Sequence, residues 1–424
     1  MRKRILLLTA FLGIAVLMAA GAADIPKSTV KLVPDAGFGA GVNWNAVFPK
    51  YPGWRTHRAA YKNFVRLGDG RFIVLDTGTY NLLFFDADGK VVKRLWKKGR
   101  RKADNLSAYN RPEWLSVWDD KFLFVSELGV VRVFDLKGRE IRHAVIDHTV
   151  DCLFPLSEDR VAVAGWVLRE DLPNRYVAAV VDLKTGVETV VMDSIEKRPE
   201  KADITDSADG TRKVTVSFPH AQIRSFVRPI SEGAFLAGFS NWPEIEVFDK
   251  TGKTIRTFMV KTEPAIMEIT SIEAQSKKWL AEEEARKIPS YPYPTSGGYG
   301  IQNKFYAATG RYQIQTAPYF YNLYIDEKGN LLVFYFPAEG KNPVFQVYSP
   351  AGEFLREVVV ETGDYIIPFS PGGAGAVFAD GNLYAMAEKK DAKEPSLQLM
   401  KFKMNWTKPG NESDSLKYKL RDKD

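Results

Sequence analysis

Asn63–Leu95 reads NFVRLGDGRFIVLDTGTYNLLFFDADGKVVKRL. Four apolar runs, FVRL, RFIVLD, LLFF and VVKRL, alternate with Gly68-Asp69-Gly70, Thr77-Gly78-Thr79-Tyr80-Asn81 and Asp86-Ala87-Asp88-Gly89. Each run has the length and composition of a strand, and each gap carries turn residues. A four-stranded antiparallel sheet of this kind cannot cover both of its faces alone. It predicts further copies of itself along the chain.

The copies are present. Asp135-Leu136-Lys137-Gly138 follows VVRVF, Asp182-Leu183-Lys184-Thr185-Gly186 follows YVAAVV, and Asp249-Lys250-Thr251-Gly252 follows IEVF. Ser349-Pro350-Ala351-Gly352 follows VFQVY. The first two steps, Asp86 to Asp135 and Asp135 to Asp182, span 49 and 47 residues. Those spacings match one propeller blade of about 40–50 residues. The later steps are a blade plus an insertion. A last unit, Gly375 to Met404, has three strand-like runs and lacks the fourth.

The expected fold is therefore all-β: a six-bladed β-propeller of four-stranded antiparallel blades over residues 28–407. Blades two to five are read at Pro112–Ile146, Asp151–Met192, Ser225–Val260 and Tyr321–Glu361. The orphan run Thr29–Val33 is expected to supply the missing strand of the last blade and close the ring, leaving no open edge. The two tight turns of each blade then lie on one rim. The long segments, Lys97–Asn110, Asp193–Ile223 and Lys261–Phe320 among them, lie on the other, where variable loops on a rigid scaffold carry function. A helical insertion between blades four and five is expected within 261–320. Residues 271–287 have helical composition with Ser271 as N-cap, and SYPYPTSGGYG follows, together forming a flap over the loop rim.

Arg2-Lys3-Arg4, the apolar run Ile5–Met18 and the small residues Ala19–Ala23 describe a secretory signal peptide, residues 1–23. The apolar run is short for a membrane span. No membrane span is expected after its cleavage, and the location implied is secreted or periplasmic. Loss of those three basic residues takes the formal charge from +7 to +4, which asks for no nucleic-acid partner. The single cysteine, Cys152, excludes an internal disulfide and reads as a small buried hydrophobe. Residues 408–424 form a charged tail expected to be disordered.

The motifs carry a resemblance. GDGRFIVLDTGTYNLLFFDADGK (Gly68–Lys90) resembles the NHL repeat and the TolB-like and other secreted bacterial six-bladed propellers related to it. Asp119–Arg139 and Glu327–Glu353 match more loosely. Lys97–Trp114 resembles the basic, glycine-rich loop that precedes a blade in such proteins, with arginines where glycines are usual. The resemblance covers about Tyr61 to Met404. It implies the fold and says little of function, because this fold hosts many activities.

Propeller enzymes of the lactonase and amidating-lyase type imply an axial divalent metal held by carboxylate, amide or His ligands. Glu127, Asp76 and Asn241 stand where they could project toward the axis. Equivalent acids do not recur in the other blades, and His57, His143, His148 and His220 show no paired ligand spacing. No metal, cofactor or catalytic residue is assigned. The basic run Lys97–Lys102, with Arg55, His57 and Arg111, could meet an anionic ligand. Trp114, Trp166 and Trp242 sit at blade entrances and strand ends, where aromatic faces bind sugars and peptides. The expected ligand set is Arg55, His57, Arg111, Trp114, Glu127, Trp166, Asn241 and Trp242. The function expected is a monomeric binding module for a protein, peptide or glycan, without catalysis. A metal-dependent lactonase, lyase or hydrolase is the alternative, and a structural part of an envelope complex a third.

Overall fold

The computed structural model describes residues 27–49, 63–77, 81–95, 113–127, 129–146, 148–167, 175–194, 202–206, 212–216, 225–231, 233–261, 266–271, 312–316, 319–335, 342–369, 375–390 and 396–407. Among them the chain is almost wholly β, with one short helix, Trp44–Val47.

Four four-stranded sheets run antiparallel in chain order. The first comprises Asn63–Arg66, Phe72–Asp76, Asn81–Phe85 and Val91–Leu95. The second comprises Trp114–Trp118, Phe122–Glu127, Val130–Asp135 and Glu140–Val145. The third holds Cys152–Pro155, Arg160–Trp166, Tyr176–Asp182 and Glu188–Asp193. The fourth holds Ser225–Ser231, Ala234–Phe239, Glu244–Phe248 and Thr254–Met259.

The repeated turn is built the same way each time. The Oδ1 of Asp86, Asp135, Asp249 and Asp326 accepts from the backbone N–H groups two and four residues on, at 2.8–3.1 Å. Such aspartates replace backbone partners that a tight turn cannot supply. The glycine closing each turn takes a left-handed conformation, φ +80° at Gly89 and +84° at Gly138, which side-chain-bearing residues resist.

Continuous apolar runs follow from burial on both faces. In the first sheet, Ile73, Leu75, Leu82 and Phe84 pack forward onto Leu115, Leu123 and Val125 of the second. The alternate residues Phe72, Val74, Leu83 and Phe85 pack backward onto Tyr384, Met386, Leu397 and Leu399 near the C-terminus. The same two-sided packing joins the second, third and fourth sheets, and joins the fourth to strands after residue 320. A strand with period-two side chains and a neighbour on either side has no solvent face to make polar.

The first strands stand side by side. Asn63–Arg66 touches Trp114–Trp118, which touches Cys152–Pro155, which touches Ser225–Ser231, which touches Asn322–Ile325. Tyr324 then meets Phe378 of Ala376–Ala379 at 5.8 Å, and that strand returns to Asn63–Arg66. Sheets packed radially round one axis define a propeller-type architecture.

The remaining strands depart from the expected pattern. Nine of them form one sheet of mixed direction rather than separate antiparallel units. The N-terminal strand Lys27–Pro34 pairs antiparallel with Leu397–Thr407, from Thr29 against Thr407 to Pro34 against Phe402. This is the pairing expected of Thr29–Val33. Its other edge pairs parallel with Phe354–Glu361, Lys27 to Lys31 against Glu357 to Glu361. A strand added to one sheet would leave an open edge, and the second pairing satisfies it. The chain then turns back, Asp35 N–H donating to the Lys401 carbonyl, and lays Phe38 against Phe72 and Tyr384 and Phe48 against Phe85.

Two further antiparallel pairs are described, Ala202–Asp206 with Arg212–Val216 and Ile266–Ser271 with Tyr312–Thr316. Their strands Arg212–Val216 and Tyr312–Thr316 lie beside each other. Ser271, expected to cap a helix, ends a strand instead. Its backbone pairs with Tyr312, which holds it extended. The rest of the expected helical flap, the signal peptide and the charged tail lie outside the described residues.

Candidate functional site at the centre of the loop rim

In each sheet the start of the first strand and the end of the second share one rim. Trp114 is paired with Ser126, Cys152 with Ala164, Ser225 with Phe239 and Asn322 with Phe334. The connections after the second strands leave from this rim. It is the loop rim, and the first strands bring Trp114, Cys152, Ser225 and Asn322 together at its centre.

Arg228 comes from the fourth sheet and crosses this cluster. Its Nε donates to the Leu323 carbonyl at 2.7 Å, Nη1 to the Val227 carbonyl at 2.8 Å and Nη2 to Asn322 Oδ1 at 2.9 Å. Its guanidinium carbon lies 5.1 Å from the Trp114 ring centre and 5.6 Å from that of Phe226. Every one of these partners is neutral. A buried cation is costly unless it is paired, by several kcal/mol on general grounds. Here carbonyl dipoles and two aromatic faces share that task. Each face adds about 0.5–2 kcal/mol, more when desolvated.

The neighbours are tuned by the same setting. Asn322 Nδ2 donates to the Tyr324 hydroxyl at 2.9 Å. Burial drives the Tyr324 phenol far above its usual range, against the opposing pull of Arg228 and Asn322. Cys152 Sγ accepts from Val227 N–H at 3.2 Å and lies 3.5 Å from the Ser225 carbonyl. Burial raises the Cys152 thiol, and the charge of Arg228 opposes the rise without cancelling it. A thiol held protonated is a poor nucleophile. The cluster can bind and orient; it holds no activated attacking group among the described residues.

The residues expected from sequence are distributed as follows. Trp114 is buried in this cluster. Trp166 ends the second strand of the third sheet, 36 % exposed, its backbone N–H and carbonyl both tied to Thr149. Asn241 and Trp242 form the turn after the second strand of the fourth sheet, and Trp242 packs against the apolar cluster shared with the second and third sheets. Glu127 is fully buried, with Arg132 Nε 3.4 Å from its carboxylate; Arg132 Nη1 in turn donates to both carboxylate oxygens of Glu140 at 3.0–3.1 Å. Asp76 is buried at the end of its strand. Arg55, His57 and Arg111 lie outside the described residues. Arg228 escaped the sequence reading. Its one signal is a basic residue inside the apolar run SFVRPI, where other inner strands carry few charges. Among the described residues no group of three or more His, Cys, Asp or Glu is arranged to hold a metal ion.

No family model matches the chain, and no curated protein matches it in sequence. Among solved structures, a DUF4221 family member from Bacteroides vulgatus is similar at 12 % identity and TM-score 0.48, over 82 % of this chain and 93 % of that one. A Bacteroides fragilis protein described as exported is similar at 10 % identity and TM-score 0.45, over 90 % and 96 %. Virginiamycin B lyase from Staphylococcus aureus is similar at 10 % identity and TM-score 0.36, over 81 % and 83 %. No described helix is long and apolar enough to cross a membrane.

Proposed function

We propose that the chain is a six-bladed β-propeller whose loop rim binds a protein, peptide or glycan without chemical conversion. Four blades are the four separate sheets. The nine-stranded sheet contributes two more, Asn322–Glu361 and the C-terminal strands completed by Lys27–Pro34, zipped together by the parallel pairing. In this reading the protein is secreted or periplasmic and is akin to the NHL-repeat-like and TolB-like propellers.

The observation that carries the reading is the cluster at the centre of the loop rim. A guanidinium fork, an indole face, an amide and a phenol converge on one end of the axis, and the cysteine beside them is held as a thiol. Such groups recognise; they do not attack. Convergent polar groups beside aromatic faces are the usual makings of a ligand site. The test is a glycan and peptide array probed with purified protein, followed by calorimetry on any hit. Substituting Trp166, exposed on the loop rim, is expected to weaken the hit. A stoichiometric divalent ion in the purified protein, with hydrolysis of a lactone, would overturn the reading in favour of a metal-dependent enzyme.

A further inference from the structure

We propose that Arg228 is the anchor of a carboxylate-binding subsite where the first strands meet at the loop rim. The inference rests on the propeller reading above and names the chemistry its central site would take.

A guanidinium has five N–H donors. Three are used, toward Leu323, Val227 and Asn322, one from each nitrogen. The Cys152 sulfur is a further weak partner within reach, and the N–H left on each terminal nitrogen is of the kind that pairs with the two oxygens of a carboxylate. No carboxylate among the described residues forms an ion pair with Arg228, although the residue is only 9 % exposed. The side chain is held rigid by its three bonds and by the Trp114 and Phe226 rings, so its remaining donors are already oriented. Pre-organisation of this kind lowers the entropic cost of binding.

The surroundings favour a planar anion over a tetrahedral one. Phosphate sites gather several cations or a nest of backbone N–H groups. Here one fork stands among aromatic and neutral groups, with the Cys152 thiol and Ser225 as its other small neighbours. The negative charge that neutralises Arg228 would come with the ligand.

Calorimetry on the full chain with sodium glucuronate, glucose and inorganic phosphate tests this. Glucuronate is expected to bind, and glucose and phosphate to bind at least tenfold more weakly. Arg228→Gln is expected to lose roughly tenfold to a hundredfold in glucuronate affinity, the usual effect of removing a charge-assisted pair. Arg228→Lys keeps the charge without the fork and is expected to fall between. A short peptide with a free C-terminus, compared with its amidated form, tells whether a chain-terminal carboxylate serves as well as an acidic sugar. Equal affinity for glucose or a preference for phosphate would overturn the proposal, as would unchanged affinity in Arg228→Gln. Should both variants fail to fold, crystals of the unaltered protein soaked in glucuronate decide. Density on the terminal nitrogens of Arg228 supports the subsite, and its absence there refutes it. An array ligand that binds equally well to Arg228→Gln sinks the subsite and leaves the broader binding function standing.

Discussion

The Arg228 guanidinium lies over the Trp114 ring, 5.1 Å from its centre, although one residue starts from the fourth sheet and the other from the second. The contact joins sheets that are not successive. It ties the stability of the ring to the composition of its centre.

A double-mutant cycle measures that tie. Trp114→Leu and Arg228→Met are each expected to destabilise the protein, and the pair to show a coupling of about 0.5–2 kcal/mol. Denaturant midpoints of the four proteins give the value. Additive effects would mean the ring and the cation act independently.

The N-terminal strand holds two sheet edges at once. Val30 is buried and opposes Val360 on one side and Trp406 on the other. Val30→Asp places a charge in this position and is expected to cost about 3 kcal/mol or more. Light scattering on heating should show earlier association, because both edges open together.

Gly165 sits where a side chain has no room. A Cβ there would come 1.6 Å from the Thr149 carbonyl oxygen, a backbone atom. Gly165→Ala is expected to lower stability by at least about 1–3 kcal/mol, the range for overpacking. Thermal melting reports it. A neutral outcome would mean the segment before Cys152 moves freely.

Acid should weaken the turns. Hydrogen bonding from Arg139 N–H holds the Asp135 carboxyl below its ordinary value of 3.8, and Thr185 and Thr251 do the same for Asp182 and Asp249. A carboxyl lowered in the fold stabilises fully above its unfolded value and loses that contribution as pH falls through the folded one. Stability is therefore expected to be level above about pH 5 and to fall below about pH 4. Asp135→Ala should differ from the parent at neutral pH and converge on it in acid. Parallel melting curves across that range check the sign.

Cys152 should be chemically silent in the native state. It is buried, and its thiol is raised by that burial. A thiol reagent at mildly alkaline pH is expected to react only after denaturant is added. Prompt native-state modification would show that reagents of that size reach Cys152 and that the thiolate forms there.

What could be read from the chain alone was local or periodic. The Asp-x-x-Gly turns close through bonds between residues two to four apart, so their chemistry is visible in any short window. The unbroken apolar runs announced strands covered on both faces, and their spacing announced a ring. The free strand at Thr29–Val33 implied a partner at the other terminus. Its second, parallel partner at Glu357–Glu361 was not legible, because either edge of an extended strand offers the same donors and acceptors. The position of Arg228 was decided only in three dimensions. A lone arginine in an apolar strand has no sequence neighbour to explain it; the carbonyl of Leu323, the amide of Asn322 and the ring of Trp114 reach it only when separate sheets meet at one axis. Turn geometry is a property of adjacent residues, whereas a buried charge is set by whatever the folded chain brings within a few ångströms of it.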